Sequence, residues 1–294
     1  MRFRQFVILA VLSIAEVFAA PASEVIYQGN LSPRNIAPTF DNGYLIVYEG
    51  DRSLSVFGQD GLRRYQVTVQ QTVPKSFYLL GAAADTDGTV AANFFDNWNS
   101  QNFGFVVLDP TGKQLRTVLT GSYSPAQICF APDHTIWLAG TVFHAEDYMV
   151  FRKYSLDGQE LGQFIPKSTL GSLTPVSMIW GRMLRASSRG IVALLQSQPI
   201  NDAAHLEWVE LNLEGQLQDR PGQHGNFLPW ALAPDGTIYA KESADKLLFW
   251  NRSSGVWKPV AVTAKGHLEG ADENGLVFQL PNTTTFAWVP IDNH

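Results

Sequence analysis

A tryptophan surrounded by polar residues is the strongest candidate binding element of this chain. Asp96, Asn97, Trp98 and Asn99 follow one another in a segment that has the composition of a loop. An exposed tryptophan ring can stack on a sugar or another planar group, while neighbouring amides and carboxylates form hydrogen bonds with it. In the alternative interpretation, the asparagines cap their own backbone and the tryptophan packs back onto the protein. The segment therefore predicts a ligand-binding loop, with a purely structural loop as the competing hypothesis.

Two further segments combine histidine with carboxylates, which suggests metal binding or acid-base chemistry. His144, Glu146 and Asp147 lie in one segment, and Asp202 and His205 lie in another. Neither segment has the His-x-His or His-x-x-x-His spacing that is typical of metal-ligand motifs. We therefore predict that these five residues are ligand-binding rather than metal-ligating.

Other catalytic signatures are absent from the sequence. It contains no Gly-x-Ser-x-Gly elbow, no phosphate-binding loop and no dinucleotide fingerprint. The single cysteine, Cys129, lies in the apolar run Ala126–Ala131, which indicates a buried structural thiol rather than a nucleophile. The sequence therefore contains no motif that assigns a reaction, and the catalytic residues are unknown.

Composition restricts the partners and the location of the protein. The 294 residues are 45% hydrophobic and carry a net charge of −6, which excludes a general binder of nucleic acid or of anionic membranes. Arg2 and Arg4 precede a short apolar run that is typical of a signal peptide over residues 1–19 and is too short to span a bilayer. We expect a secreted or periplasmic protein in which residues 20–294 form a single domain.

A repeated turn organises the whole chain. An Asp-Gly-like turn followed by an apolar strand recurs at intervals of about 40 to 55 residues, which is typical of four-stranded propeller blades. A second series of turns lies between the copies of the first, so each unit has two hairpins and four strands. The first series has six copies, which contain Gly43, Gly88, His134, Gly190, Gly236 and Gly275.

The strand pattern predicts how the ring of blades closes. Blade three is predicted to contain strands 126–131, 135–141, 148–155 and 160–165, whereas blade six reaches the end of the chain after only three strands. The segment Glu24–Gly29 precedes blade one and has no partner of its own. We predict that it forms the missing outer strand of blade six, because a closed ring leaves no open sheet edge.

These repeats resemble a known family. The segments Ser124–Ala139, Val150–Leu161 and Leu228–Ala240 are similar to NHL-type repeats of six-bladed β-propellers. The resemblance implies an all-β fold of six four-stranded blades. It also extends in outline to lactonase-type propellers, which hold a divalent cation with Glu, Asp and Asn residues at the channel mouth. Only Glu269 and Asn35 fit such positions in this chain, so they are weak candidates for metal ligands.

The predicted topology places the binding candidates on one face. If both hairpin turns of each blade lie on one face, the longer loops lie on the opposite face, here called the loop face. Trp230, at the start of an inner strand, is predicted to point toward the central channel, although packing between blades is an equally good interpretation. We therefore interpret the protein as a monomeric, exported binding module without a cofactor, which binds a small molecule or a protein at the channel mouth. The alternatives are a lactonase-type hydrolase with one divalent cation and a structural domain of the cell envelope.

Overall fold

The architecture is a six-bladed β-propeller, as the sequence predicted. The computed structural model describes residues 23–26, 38–70, 77–95, 102–175, 184–197, 206–221, 230–243, 246–260, 266–280, 283 and 285–291. Within these residues the chain forms six antiparallel sheets, which are the six blades. The only α-helix among them is α1 (Lys167–Leu170). None of the described residues belongs to a helix that is long and apolar enough to cross a membrane.

The strands follow the chain from blade to blade, and the first strand belongs to the last blade. In chain order the strands are β1 (Ser23–Ile26); β2 (Thr39–Asp41), β3 (Tyr44–Tyr48), β4 (Ser53–Phe57) and β5 (Arg63–Thr68) of blade one; β6 (Tyr78–Ala84), β7 (Val90–Phe95), β8 (Phe103–Leu108) and β9 (Gln114–Gly121) of blade two; β10 (Tyr123–Phe130), β11 (Ile136–Val142), β12 (Met149–Tyr154) and β13 (Glu160–Pro166) of blade three; β14 (Leu173–Pro175), β15 (Leu184–Ser187), β16 (Gly190–Ser197), β17 (Leu206–Leu211) and β18 (Leu217–Asp219) of blade four; β19 (Trp230–Leu232), β20 (Ile238–Ser243), β21 (Lys246–Asn251) and β22 (Val256–Val260) of blade five; and β23 (His267–Asp272), β24 (Gly275–Gln279) and β25 (Thr285–Val289) of blade six.

The ring closes through β1, as predicted. Blade six has the strand order β1-β25-β24-β23, and β1 runs antiparallel to β25 with Ser23 opposite Trp288 and Ile26 opposite Thr285. The N-terminal strand is therefore the outer strand of the last blade. It spans Ser23–Ile26 rather than the predicted Glu24–Gly29, and residues 27–29 lie outside the described part of the chain.

Blade four has a divided inner edge. Both β14 and β15 pair with β16, at opposite ends of that long strand. Each of the other blades is a four-stranded sheet in which neighbouring strands are antiparallel. Because successive strands reverse direction, both hairpin turns of a blade lie on the same face, which we call the turn face.

The hairpin turns explain why the repeat could be recognised in the sequence. At the first turn, Asn42 and Gly43 both have positive φ, at 46° and 79°, which is the conformation that a type I′ hairpin turn requires. His134 takes the corresponding place in blade three with φ of 60°. Its Nδ1 lies 2.7 Å from Oδ2 of Asp85 in blade two, and this hydrogen bond raises the pKa of His134. The turns thus shape each blade and also connect neighbouring blades.

The core lies between the blades. Trp137 and Trp208 are among the largest fully buried side chains, and Trp137 stacks on Phe164 with 5.0 Å between the ring centroids. Cys129 forms no disulfide and is buried in the cluster that fills the space between blades three and four. The prediction of a structural thiol is therefore confirmed.

Candidate functional site

The structure describes only part of the predicted binding surface. His144, Glu146, Asp147 and Glu269 are described, and Trp230 begins β19, where its backbone pairs with Ala240. The predicted direction of the Trp230 side chain stays a prediction. The other predicted site residues lie outside the described residues: Asn35, Asp96, Asn97, Trp98, Asn99, Asp202 and His205.

The blade-three loop is held in place by one carboxylate. Asp147 accepts hydrogen bonds from the backbone N–H of Ser168 (3.0 Å), from the Ser168 hydroxyl (2.8 Å) and from the backbone N–H of Tyr148 (2.9 Å). The bonds from Ser168 hold the pKa of Asp147 below its ordinary value. Asp147 therefore ties the loop to α1, while His144 and Glu146 are exposed beside it.

His144, Glu146 and Asp147 do not form a metal site with one another or with any other described residue. Across the part of the chain that the structure describes, no group of three or more His, Cys, Asp or Glu side chains is close enough to hold a metal ion. The ligand-binding role of His144, Glu146 and Asp147 stays a prediction.

A buried arginine spans the central channel. Arg185 lies in β15 and is only 8% exposed. Its Nη1 donates to the carbonyl oxygen of Phe40 in blade one (2.9 Å), and its Nη2 donates to the carbonyl oxygen of Glu269 in blade six (2.7 Å). Because blade four stands opposite blade one in a ring of six, this guanidinium connects strands on both sides of the channel.

Glu269 lies next to this arginine at an irregularity of the inner strand. The register of β23 against β24 shifts between Leu268 and Gly270, so Glu269 is the bulged residue. Burial raises the pKa of Glu269 to about 7, and the positive charge of Arg185 opposes part of that rise. The carboxyl group therefore keeps its proton to a higher pH than an ordinary glutamate does.

Bulges recur on the inner strands of other blades. In β6 the register shifts between Leu79 and Gly81, and in β10 it shifts between Pro125 and Gln127. The bulged residues there are Leu80 and Ala126, which are apolar. Among these three bulges, the one in blade six is therefore the only one that brings an ionisable group to the channel.

The sequence analysis missed Arg185. The available signal was its position between Leu184 and Ala186 in a short apolar strand, since a charged residue inside such a strand needs buried partners. Those partners belong to blades one and six, which are far away in the chain. No local pattern indicates which blades would supply them.

A separate cleft of about 710 Å³ opens on the turn face between blades five and six. It lies on the side of the propeller opposite to the predicted loop face. The walls of the cleft combine arginine, carboxylate and aromatic side chains. The sequence did not indicate this cleft, because many of its residues belong to turns that were interpreted only as structural.

Comparisons with known proteins place the chain at the level of fold. No protein-family model matches it, and no curated protein matches it. Among solved structures it is similar to a gluconolactonase from Xanthomonas campestris, with 13% identity, a TM-score of 0.51, and coverage of 93% of this chain and 98% of that chain. It is also similar to an oligogalacturonate lyase in complex with manganese, with 12% identity, a TM-score of 0.52, and coverage of 87% and 76%. These likenesses show the propeller fold alone, and assignment to NHL repeats or to lactonase-type propellers stays a prediction.

Proposed function

We propose that this protein is an exported binding module, in which the loop face around the channel mouth holds a small molecule or a protein partner. The observation that carries the proposal is Arg185, whose guanidinium spans the channel and is held by carbonyl oxygens of two other blades. A channel occupied by a fixed, buried side chain leaves the loops at its mouth as the place where a ligand binds. In this proposal the propeller serves as a scaffold for the loops, and no chemical step is required of it.

The loop residues supply the recognition chemistry in this proposal. Trp98, between Asn97 and Asn99, offers a ring for stacking together with amides for hydrogen bonds. The blade-three loop adds His144 and Glu146 on a backbone that Asp147 holds through Ser168. Loops held in this way lose little conformational freedom when a ligand binds, which favours affinity.

A second candidate function is a metal-dependent hydrolase of the lactonase type. One feature of the channel favours it: Glu269, with a pKa of about 7, is suited to accept or donate a proton at neutral pH. The described residues do not fit the cation, however, because Glu269 has Arg185 beside it, and the positive guanidinium repels a divalent ion. We therefore derive no step through a metal.

The two functions differ in metal content and in the effect of one substitution. We expect the mature protein, purified without chelators, to contain far less than about one Ca, Mg, Mn or Zn per chain by inductively coupled plasma mass spectrometry. When each of these metals is added, we expect the wild-type protein to hydrolyse gluconolactone no faster than the Glu269→Gln variant does. Stoichiometric metal together with lactone hydrolysis that Glu269→Gln abolishes would establish the hydrolase and overturn the binding module.

The binding role of Trp98 makes a separate prediction. We expect the wild-type protein to bind at least one class of sugar on an oligosaccharide array, and Trp98→Ala to weaken that binding about tenfold, because a stacked aromatic ring is lost. The melting temperature should not change. Leu161→Ala, at an exposed apolar residue of an outer strand, is the matched control and should bind like the wild type. A lower melting temperature of Trp98→Ala would show instead that Trp98 packs against the blade.

A further inference from the structure

The cleft on the turn face is built from the turns of neighbouring blades. We call the cavity of about 710 Å³ between blades five and six the turn-face cleft. Asp235 comes from the first turn of blade five, and Asp272 and Glu273 come from the first turn of blade six. Its volume is within the usual range for small-molecule sites, which is roughly 300 to 1,000 Å³.

The arginines of the cleft are already paired with a buried carboxylate. Arg252 donates to Glu210 through two nitrogens, with Nη2–Oε1 at 2.7 Å and Nε–Oε2 at 3.2 Å. Arg189 reaches the same carboxylate, with its Nε 3.8 Å from Oε1. Glu210 is nearly inaccessible to solvent, so it neutralises much of the positive charge on this side of the cleft.

Among the residues that the structure describes, the carboxylates of the cleft have no such counterions. Asp235 accepts a hydrogen bond from the backbone N–H of Thr237, and Asp272 accepts hydrogen bonds from the backbone N–H of Asn274 and from the indole N–H of Trp288. Within the described ranges, neither these two residues nor Glu273 forms an ion pair. The charge that faces the cleft is therefore predominantly negative.

A tyrosine whose ring is buried lies on the wall of the cleft. Tyr239 lines the cleft, is only 4% exposed, and forms no hydrogen bond with any residue that the structure describes. Burial and the charge of Asp235 raise the pKa of Tyr239 to about 12, so the phenol stays protonated. Asp235 and Tyr239 both line the cleft. Because this hydroxyl has no partner among the described residues, it can form its hydrogen bonds with a ligand in the cleft.

We propose that the turn-face cleft binds an alkylammonium group, the chemistry that polyamines share with lysine side chains. Asp235, Asp272 and Glu273 supply the negative charge, and the Tyr239 oxygen accepts a hydrogen bond from the ammonium. Phe249 and Trp250, which also line the cleft, offer aromatic faces that attract cations and contact the methylene stem.

The test titrates the full mature protein with spermidine and with acetyl-trilysine amide, which have equal charge, by isothermal titration calorimetry at low ionic strength. We expect saturable binding of at least one probe. Tighter binding of spermidine would identify a polyamine as the ligand, and tighter binding of the trilysine peptide would identify lysine side chains. Tyr239→Phe keeps the ring but removes the hydroxyl, and Asp235→Asn keeps the oxygen that caps the turn. Each variant should bind about tenfold more weakly than the wild type.

Asp87→Asn is the matched control, because Asp87 accepts the same backbone hydrogen bond, from Thr89, in the first turn of blade two. It changes the net charge as Asp235→Asn does and should leave the affinity unchanged. Equal weakening by both aspartate variants would show a general charge effect and overturn the proposal. The absence of saturable binding would also overturn it. Succinate, a dianion, is titrated as a third probe, and tighter binding of succinate than of the two cations would overturn the proposal as well. Trp98→Ala should not affect this binding, so the result is independent of the function proposed for the loop face.

Discussion

The chain that begins at residue 30 should unfold at a much lower urea concentration than the chain that begins at residue 20. The shorter chain lacks β1, which pairs with β25 along its whole length, from Ser23 opposite Trp288 to Ile26 opposite Thr285. At about 1 kcal/mol of net stabilisation for each backbone hydrogen bond, the ladder alone contributes about 2 to 4 kcal/mol. Opening the ring also exposes the edge of β25, which adds to the loss and favours aggregation. Urea unfolding followed by tryptophan fluorescence measures the difference.

A less drastic variant disrupts the pairing of β1 with β25 without shortening the chain. The double variant Glu24→Pro and Val25→Pro keeps the length of the N-terminal segment but removes two adjacent backbone N–H groups. Adjacent N–H groups of a strand point in opposite directions, so one of the two must point toward β25. This variant should lose part of the same free energy of unfolding. Equal urea midpoints for the chains that begin at residues 20 and 30 would contradict the closure by β1.

The fold was predictable because its signals are local. Asn42 and Gly43 form a hairpin because their own backbone preferences favour positive φ. Turns at the corresponding places of the other five blades each contain or precede one residue with positive φ. Blade three shows how closely strands follow from turns: the segment predicted as 160–165 is the strand Glu160–Pro166, and that predicted as 126–131 lies within or next to Tyr123–Phe130. Counting strands then leaves one place for the N-terminal strand.

The channel was not predictable, because its contacts connect distant parts of the chain. Arg185 meets Phe40 and Glu269 only after all six blades have assembled, and nothing near position 185 specifies either partner. Glu269 was identified as a channel residue from its place in an inner strand. Its raised pKa depends on burial by other blades, which periodicity does not encode. The same reason applies to Tyr239, whose unpartnered hydroxyl is known only from the assembled cleft.

Arg185 and Glu269 together should make the stability of the propeller depend on pH. Arg185→Met leaves the carbonyl oxygens of Phe40 and Glu269 without their charged donor, which should reduce the free energy of unfolding by about 3 kcal/mol even near pH 5. The pKa of Glu269 is about 7 in the folded protein and about 4.5 when unfolded. A carboxyl with a raised pKa stabilises the fold at low pH, and this stabilisation is lost as the pH rises through about 7.

Removing Arg185 should therefore reduce the free energy of unfolding more in alkaline solution than in acid. Without Arg185 the ionised form of Glu269 loses a favourable charge, so the loss of stability caused by Arg185→Met should be at least about 1 kcal/mol larger near pH 8 than near pH 5. Glu269→Gln cannot ionise, so it should stabilise the protein near pH 8 and should remove the extra loss when it is combined with Arg185→Met. Urea unfolding of the wild type, both single variants and the double variant at the two pH values completes the cycle. An effect of Arg185→Met that is the same at both pH values would mean that the two charges are not coupled.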